Sequence, residues 1–173
     1  GLGSASIYVP ELDITVGAIA AVNSAGSVLI PGTKAFYAWD MELENEFGGL
    51  LPPENFDKAI IAVPKHSSLH ENTTLAVVAT DANLTKSETR RLAIISQNGL
   101  SRAIRPSSTP LDGDIVFAIS TGEKNIDDKV TKIGTLGAHA ANCLGRSVAR
   151  AVYEAETLGK ISSYQDLQDN DEN

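Results

Sequence analysis

Apolar and polar positions fall into short blocks that predict strands grouped early in the chain and helices later. Residues 4–9 and 14–23 read as strands. Within the second, Ile14-Thr15-Val16-Gly17-Ala18-Ile19-Ala20-Ala21-Val22 is small and nearly continuously apolar, the pattern of a strand buried on both faces. Ser24-Ala25-Gly26-Ser27 predicts a tight turn, after which Val28-Leu29-Ile30 continues the sheet. The pattern is lost over residues 31–57. Gly32, Gly48-Gly49 and Pro52-Pro53 punctuate that stretch, which carries Glu42, Glu44 and Glu46. It reads as a long surface loop with room for a short helix, mobile or functional. A short strand is expected at 59–63 and an exposed linker over 64–72.

A strand is predicted over 73–80. Thr85-Lys86-Ser87-Glu88 matches a capping box, and the helix it opens runs to about residue 104, with Leu92, Ile95 and Leu100 among its apolar positions. Arg105-Pro106 ends it. A polar loop over 107–114 leads into a strand over 115–121. The last helix, 135–157, is rich in Ala and Gly, so it should approach its neighbour closely. Residues 162–173 are polar and acidic and are expected to lack fixed structure. Strands in groups with helices following indicate an α+β layered domain rather than a βαβ repeat.

Composition narrows the classes. A chain of 173 residues suits one domain with a proper core. With 42% hydrophobic and 21% charged residues it is neither disordered nor membrane-like, and no apolar run approaches the roughly 20 residues of a membrane helix. The 14 Lys and Arg against 22 Asp and Glu give a net charge of −8, which disfavours nucleic acid. The single Cys143 forms no internal disulfide and leans toward a reducing, cytoplasmic setting. The chain opens at Gly1-Leu2-Gly3 with neither an initiator Met nor a leader pattern, so truncation or processing is expected.

The most informative chemistry is Asn72-Thr73-Thr74, set directly before Leu75-Ala76-Val77-Val78-Ala79. A broken Asn72–Thr73 bond would give Thr73 a free amine beside its own hydroxyl, and so a base and a nucleophile in one residue. Such an amine has a reference pKa of about 7.7–8.0 and is partly neutral at physiological pH. Two plainer readings stand beside it: threonine is common at strand starts, and both Asn72-Thr73-Thr74 and Asn83-Leu84-Thr85 are glycosylation sequons. In Leu111-Asp112-Gly113-Asp114 two carboxylates flank a glycine and could hold an ammonium group, though Asp-Gly is equally a turn dipeptide. The spacing of an EF-hand calcium loop is missing. Asn23 could donate its amide to a developing oxyanion, and turn chemistry explains it equally well. His66 and His70 beside Glu71, and His139 with Cys143, do not complete a metal site, so no metal or cofactor is expected.

Taken together, these segments resemble a known family. Gly1-Leu2-Gly3-Ser4-Ala5-Ser6, Thr15-Val16-Gly17-Ala18 and Ala21-Val22-Asn23 are similar to the late part of the large subunit of the D-aminopeptidase/β-peptidyl aminopeptidase family, which includes nylon-oligomer hydrolases. The stretch from Asn72 to Asp81 resembles its self-cleavage junction. Arg102-Ala103-Ile104-Arg105-Pro106 with Thr109-Pro110-Leu111-Asp112-Gly113-Asp114 resembles the downstream segment of the threonine-nucleophile branch. The resemblance implies a four-layer αββα sandwich, as in the ornithine acetyltransferases, incomplete at its N-terminal side. Residues 1–72 would end the large subunit, 73–161 form the small one and 162–173 an acidic tail.

It further implies Thr73 as nucleophile, its freed amine as base, Asn23 as oxyanion donor, and Asp112 and Asp114 as groups positioning that amine or the substrate's ammonium. The expected partners are a small amine-bearing peptide or oligoamide, the upstream half of the chain's own precursor, which supplies a Tyr and a Lys to the family's site, and further αβ pairs in a homo-oligomer. The expected reaction is hydrolysis of amide bonds near a free amine through an acyl-enzyme. Acyl transfer and a non-catalytic domain of the same fold are the alternatives.

Overall fold

The computed structural model describes residues 1–56, 72–110 and 112–169. The strand expected at 59–63, residues 64–71 of the linker expected over 64–72 and His66, His70 and Glu71 lie outside them; Asn72, the last residue of that linker, is buried rather than exposed. Four strands, β1 (Leu2–Val9), β2 (Ile14–Ala21), β3 (Leu75–Ala82) and β4 (Ile115–Lys124), form one sheet in chain order. β1 with β2 and β2 with β3 pair antiparallel, whereas β4 runs parallel to β3. That parallel step is made possible by the helices α1 (Lys86–Ser96) and α2 (Asn98–Ala103), which carry the chain back. The long helix α3 (Lys129–Tyr153) then packs on β1 and β2, and α1 packs on β4, both against one face of the sheet. The class is therefore mixed, with a four-stranded sheet and a helical layer.

The core lies between sheet and helices. Val9, Ile14, Val16, Val78, Leu92, Leu100, Leu136, Leu144 and Val148 are all but fully enclosed there. Small residues let the elements close up, as the composition of α3 suggested. A Cβ on Gly99 would lie 2.2 Å from the Ala141 carbonyl oxygen, and one on Gly3 would lie 2.2 Å from that of Ser147. No other side chain fits at those crossings.

The opposite face is apolar and open. Cross-strand register sets Leu75 opposite Ile115, Val77 opposite Phe117, and Ile19 opposite Val77. Leu75, Ile115, Phe117 and Ile119 are each 41–53% exposed. The expectation that β2 is buried on both faces is thereby corrected. Its inner residues are enclosed, but Ile19 remains 44% exposed, because no described element covers that side.

Residues 28–30 do not continue the sheet; Ser27 and Leu29 form isolated bridges to Arg105 and Phe36. Nor do residues 31–56 of the expected excursion form a surface loop. They hold one 3-10 turn, Trp39–Met41, and send Phe36, Met41 and Phe47 into the main core. Glu42 and Glu46 serve as anchors. Glu42 accepts the Phe47 and Gly49 N–H groups at 2.7 and 2.9 Å. Glu46 grips the Arg146 guanidinium through both carboxylate oxygens. Arg146 also donates to the Ser6 carbonyl at 3.1 Å, joining the excursion, α3 and β1. In the Glu46→Ala variant Arg146 keeps its burial and loses its counter-charge, so unfolding in urea should show a loss of about 3–5 kcal/mol.

The capping box at Thr85 forms with both reciprocal bonds. The helix it opens is interrupted at Gln97, where the bonding tightens to Leu100 N–H donating to the Gln97 carbonyl at 3.0 Å. Helix α3 begins six residues before its expected start, after Asp128 in a left-handed conformation (φ 42°). Within the stretch expected to be unstructured, α4 (Tyr164–Asp169) is formed. Tyr164 is buried beside Phe36 and donates its hydroxyl to the Lys34 carbonyl at 2.9 Å.

Candidate active site

Three separate segments meet at the head of β3: residues 23–27, residues 72–74, and residues 105–110 with 112–114. Main-chain bonds stitch the first to the third. Ser27 and Arg105 exchange N–H to carbonyl bonds at 3.0 and 2.9 Å. Gly26 is required at this seam, since a Cβ there would lie 1.9 Å from the Pro106 carbonyl oxygen. The junction itself is held by an extension of the β3–β4 pairing, in which Asn72 bridges Asp112 in parallel.

Thr73 sits at the centre. Its amide N–H donates to the Asn23 main-chain carbonyl at 2.8 Å, and its hydroxyl donates to the Asn72 carbonyl at 2.7 Å. The Asn72 carbonyl also accepts the Gly113 N–H at 2.9 Å. The nucleophile candidate thus touches the carbonyl of the bond that would break, and that carbonyl carries two donors. Asn72 is buried, whereas Thr73 is half-buried and, by strand alternation, shares the open face with Leu75 and Val77. Thr74 points the other way. It is fully buried, and its hydroxyl has no partner among the described residues.

The two aspartates act on main-chain amides around the junction. Asp112 accepts the Ala25 N–H at 3.0 Å with one oxygen, and the Thr109 N–H and hydroxyl at 3.0 and 2.7 Å with the other. Asp114 accepts the Thr74 N–H at 2.8 Å and the Ser108 N–H at 3.3 Å. Asp112 therefore ties the loop carrying Asn23 to the strand edge, and Asp114 fixes the residue after Thr73. Asn23 lies at the junction, where its backbone carbonyl accepts the Thr73 N–H. Gly113, Thr109 and Ala25 were not singled out from sequence. Only the Asp-Gly-Asp spacing hinted at Gly113.

No group of three His, Cys, Asp or Glu is arranged to hold a metal ion among the described residues. His139 lies 3.7 Å from Glu11 at the surface. Cys143 is buried against the Val16 carbonyl, and burial pushes its thiol up to about 11, so it stays protonated and unreactive. No helix among the described residues is long and apolar enough to cross a membrane.

Comparison with known proteins gives one consistent answer. The model of peptidase family S58 matches residues 1–165. An uncharacterized aminopeptidase of Mycobacterium tuberculosis is 37% identical over 180 residues, covering 96% of this chain and 52% of its own length. One of Mycobacterium leprae is 40% identical over 174 residues, covering 95% of this chain and 47% of its own. The chain spans about half the length of the curated relatives it matches. Among solved structures, the L-aminopeptidase D-Ala-esterase/amidase of Ochrobactrum anthropi, described as a variant of the Ntn hydrolase fold, is similar at a TM-score of 0.57 and 16% identity, over 98% of this chain and 47% of that one. A Burkholderia sp. β-aminopeptidase is similar at 0.51 and 21% identity, over 88% and 41%. At these identities the structural likeness is one of fold.

Proposed function

The chain belongs to peptidase family S58, and from that membership we propose that it is the core of a self-cleaving amidohydrolase with Thr73 as its nucleophile. Cleavage of Asn72–Thr73 frees the Thr73 amine, which takes the hydroxyl proton as the oxygen attacks a substrate amide. The leaving amine departs, an acyl-enzyme remains, and water releases the acyl group. The observation that carries this reading is the 2.7 Å contact of the Thr73 hydroxyl with the Asn72 carbonyl, which puts the hydroxyl beside the bond it must attack. Asn23 serves the oxyanion, while Asp112 and Asp114 hold the Thr73 amine in position to meet an ammonium-bearing substrate. Short peptides and ω-amino-acid oligomers, including nylon-type oligomers, have that chemistry. The names of the relatives, all aminopeptidases, favour an amide next to a free amine.

The open sheet face supports a partner layer. Its apolar side chains flank Thr73, and an exposed apolar surface of that kind in a folded enzyme is an interface. The upstream half of a longer precursor, supplying a second sheet, would complete the four-layer αββα sandwich and the substrate cavity.

The complete precursor decides the matter. Incubated and sequenced from its amino termini, it should yield a small chain beginning Thr-Thr-Leu and should then hydrolyse 6-aminohexanoate dimers or aminoacyl anilides. One intact chain with no hydrolysis of either substrate would overturn the proposal.

A further inference from the structure

We propose that Gly113 is a positioning residue of the self-cleavage step; the inference rests on Thr73 being the nucleophile that opens the Asn72–Thr73 bond. Two observations meet at this glycine. Its N–H donates to the Asn72 carbonyl oxygen at 2.9 Å, on the atom that becomes an oxyanion when Thr73 attacks. A Cβ in its place would lie 2.7 Å from the Thr73 hydroxyl oxygen and 3.7 Å from its methyl. Its backbone is not in the left-handed region, so nothing in φ demands a glycine here. What demands it is the space that the hydroxyl occupies.

The step balances with the groups present. The Thr73 oxygen bonds to the Asn72 carbonyl carbon, and the carbonyl π electrons move onto the oxygen held by the Gly113 N–H. As the tetrahedral species collapses, the C–N bond breaks, and the hydroxyl proton ends on the departing nitrogen. Water then hydrolyses the Asn72 ester and restores the hydroxyl. A donor fixed on the developing oxyanion before reaction lowers the barrier, because no reorganisation is needed. The donor is supplied by an extension of the same parallel ladder that pairs Ile115 with Leu75, where the Ile115 N–H meets the Thr74 carbonyl at 3.0 Å. The sheet therefore aligns the donor with no dedicated side chain.

Alanine at this position keeps the N–H and removes the space. Threonine must then swing its hydroxyl off the Asn72 carbonyl while still finding room for its methyl. Serine has one heavy γ atom and reaches the carbonyl from rotamers closed to threonine.

The test is the time course of self-cleavage in the complete precursor, followed by mass, for wild type, Gly113→Ala, Thr73→Ser and the double variant Gly113→Ala/Thr73→Ser. Gly113→Ala should cleave at least tenfold more slowly than wild type, and the double variant should recover several-fold over Gly113→Ala. Cleavage of Gly113→Ala within twofold of wild type overturns the inference. So does a slow Gly113→Ala that serine fails to rescue, the behaviour of a merely misfolded chain. An uncut wild-type precursor, by contrast, overturns the self-cleavage reading itself.

Discussion

Replacing Thr73 by alanine in the complete precursor should abolish the appearance of a chain beginning at residue 73 and lower kcat/KM for amide hydrolysis by about ten-thousandfold or more. The size of the effect follows from how little else is available. The neighbouring Thr74 has the same hydroxyl one residue away, but strand alternation turns it into the core, where it is fully buried. Its hydroxyl cannot reach a carbonyl on the open side without breaking the β3–β4 pairing. Tandem threonines thus look redundant in sequence and are opposite in space. Thr74→Val is the matching control. The Thr74 hydroxyl has no partner among the described residues, so an isosteric apolar side chain leaves the packing intact and cleavage should continue. Denaturing electrophoresis with mass determination reads both variants. Cleavage before residue 73 in Thr73→Ala, or its loss in Thr74→Val alone, would transfer the nucleophile's role away from Thr73.

Where the candidate residues would sit was legible because they stand at strand ends, where local signals are strong. An apolar run preceded by Asn-Thr-Thr marks the head of β3, and Asp-Gly-Asp before another apolar run marks the head of β4. Because β3 and β4 are adjacent and parallel, their heads lie side by side and bring these residues together. The capping box at Thr85 is equally local, and it formed as read. The excursion over 31–57 was illegible for the opposite reason. Phe36, Met41 and Phe47 reach the core from irregular backbone, so they follow neither a period of two nor of 3.6. Glu46 reads as a solvated charge until Arg146, a hundred residues away, is seen to hold it. Helix α4 depends on Tyr164 meeting Phe36 and Tyr153, contacts that no local window contains. The openness of the second sheet face was also hidden, because an apolar strand reads the same whether its cover is present or not.

Asp112→Ala should slow self-cleavage by roughly a hundredfold, with Asp112→Asn between it and wild type. The carboxylate takes three donors, the Ala25 N–H and the Thr109 N–H and hydroxyl. Alanine leaves all three unmet and frees the loop that carries Asn23. The Asn23 carbonyl then loses its fixed place on the Thr73 N–H, a bond of 2.8 Å, and the nitrogen that becomes the catalytic amine is no longer held. Asparagine keeps one oxygen for Ala25 but turns an NH2 toward the Thr109 N–H, so it restores only part of the clamp. A positioning role shows itself in the kinetics of enzyme that has already been cleaved: kcat falls while KM for an amine-bearing substrate barely moves. A direct ammonium contact gives the reverse, a large rise in KM with self-cleavage untouched, since the precursor's own junction carries no ammonium. Measuring both rates on the same variants separates the two, and a rise in KM alone would reassign Asp112 from the scaffold of the junction to the binding of substrate.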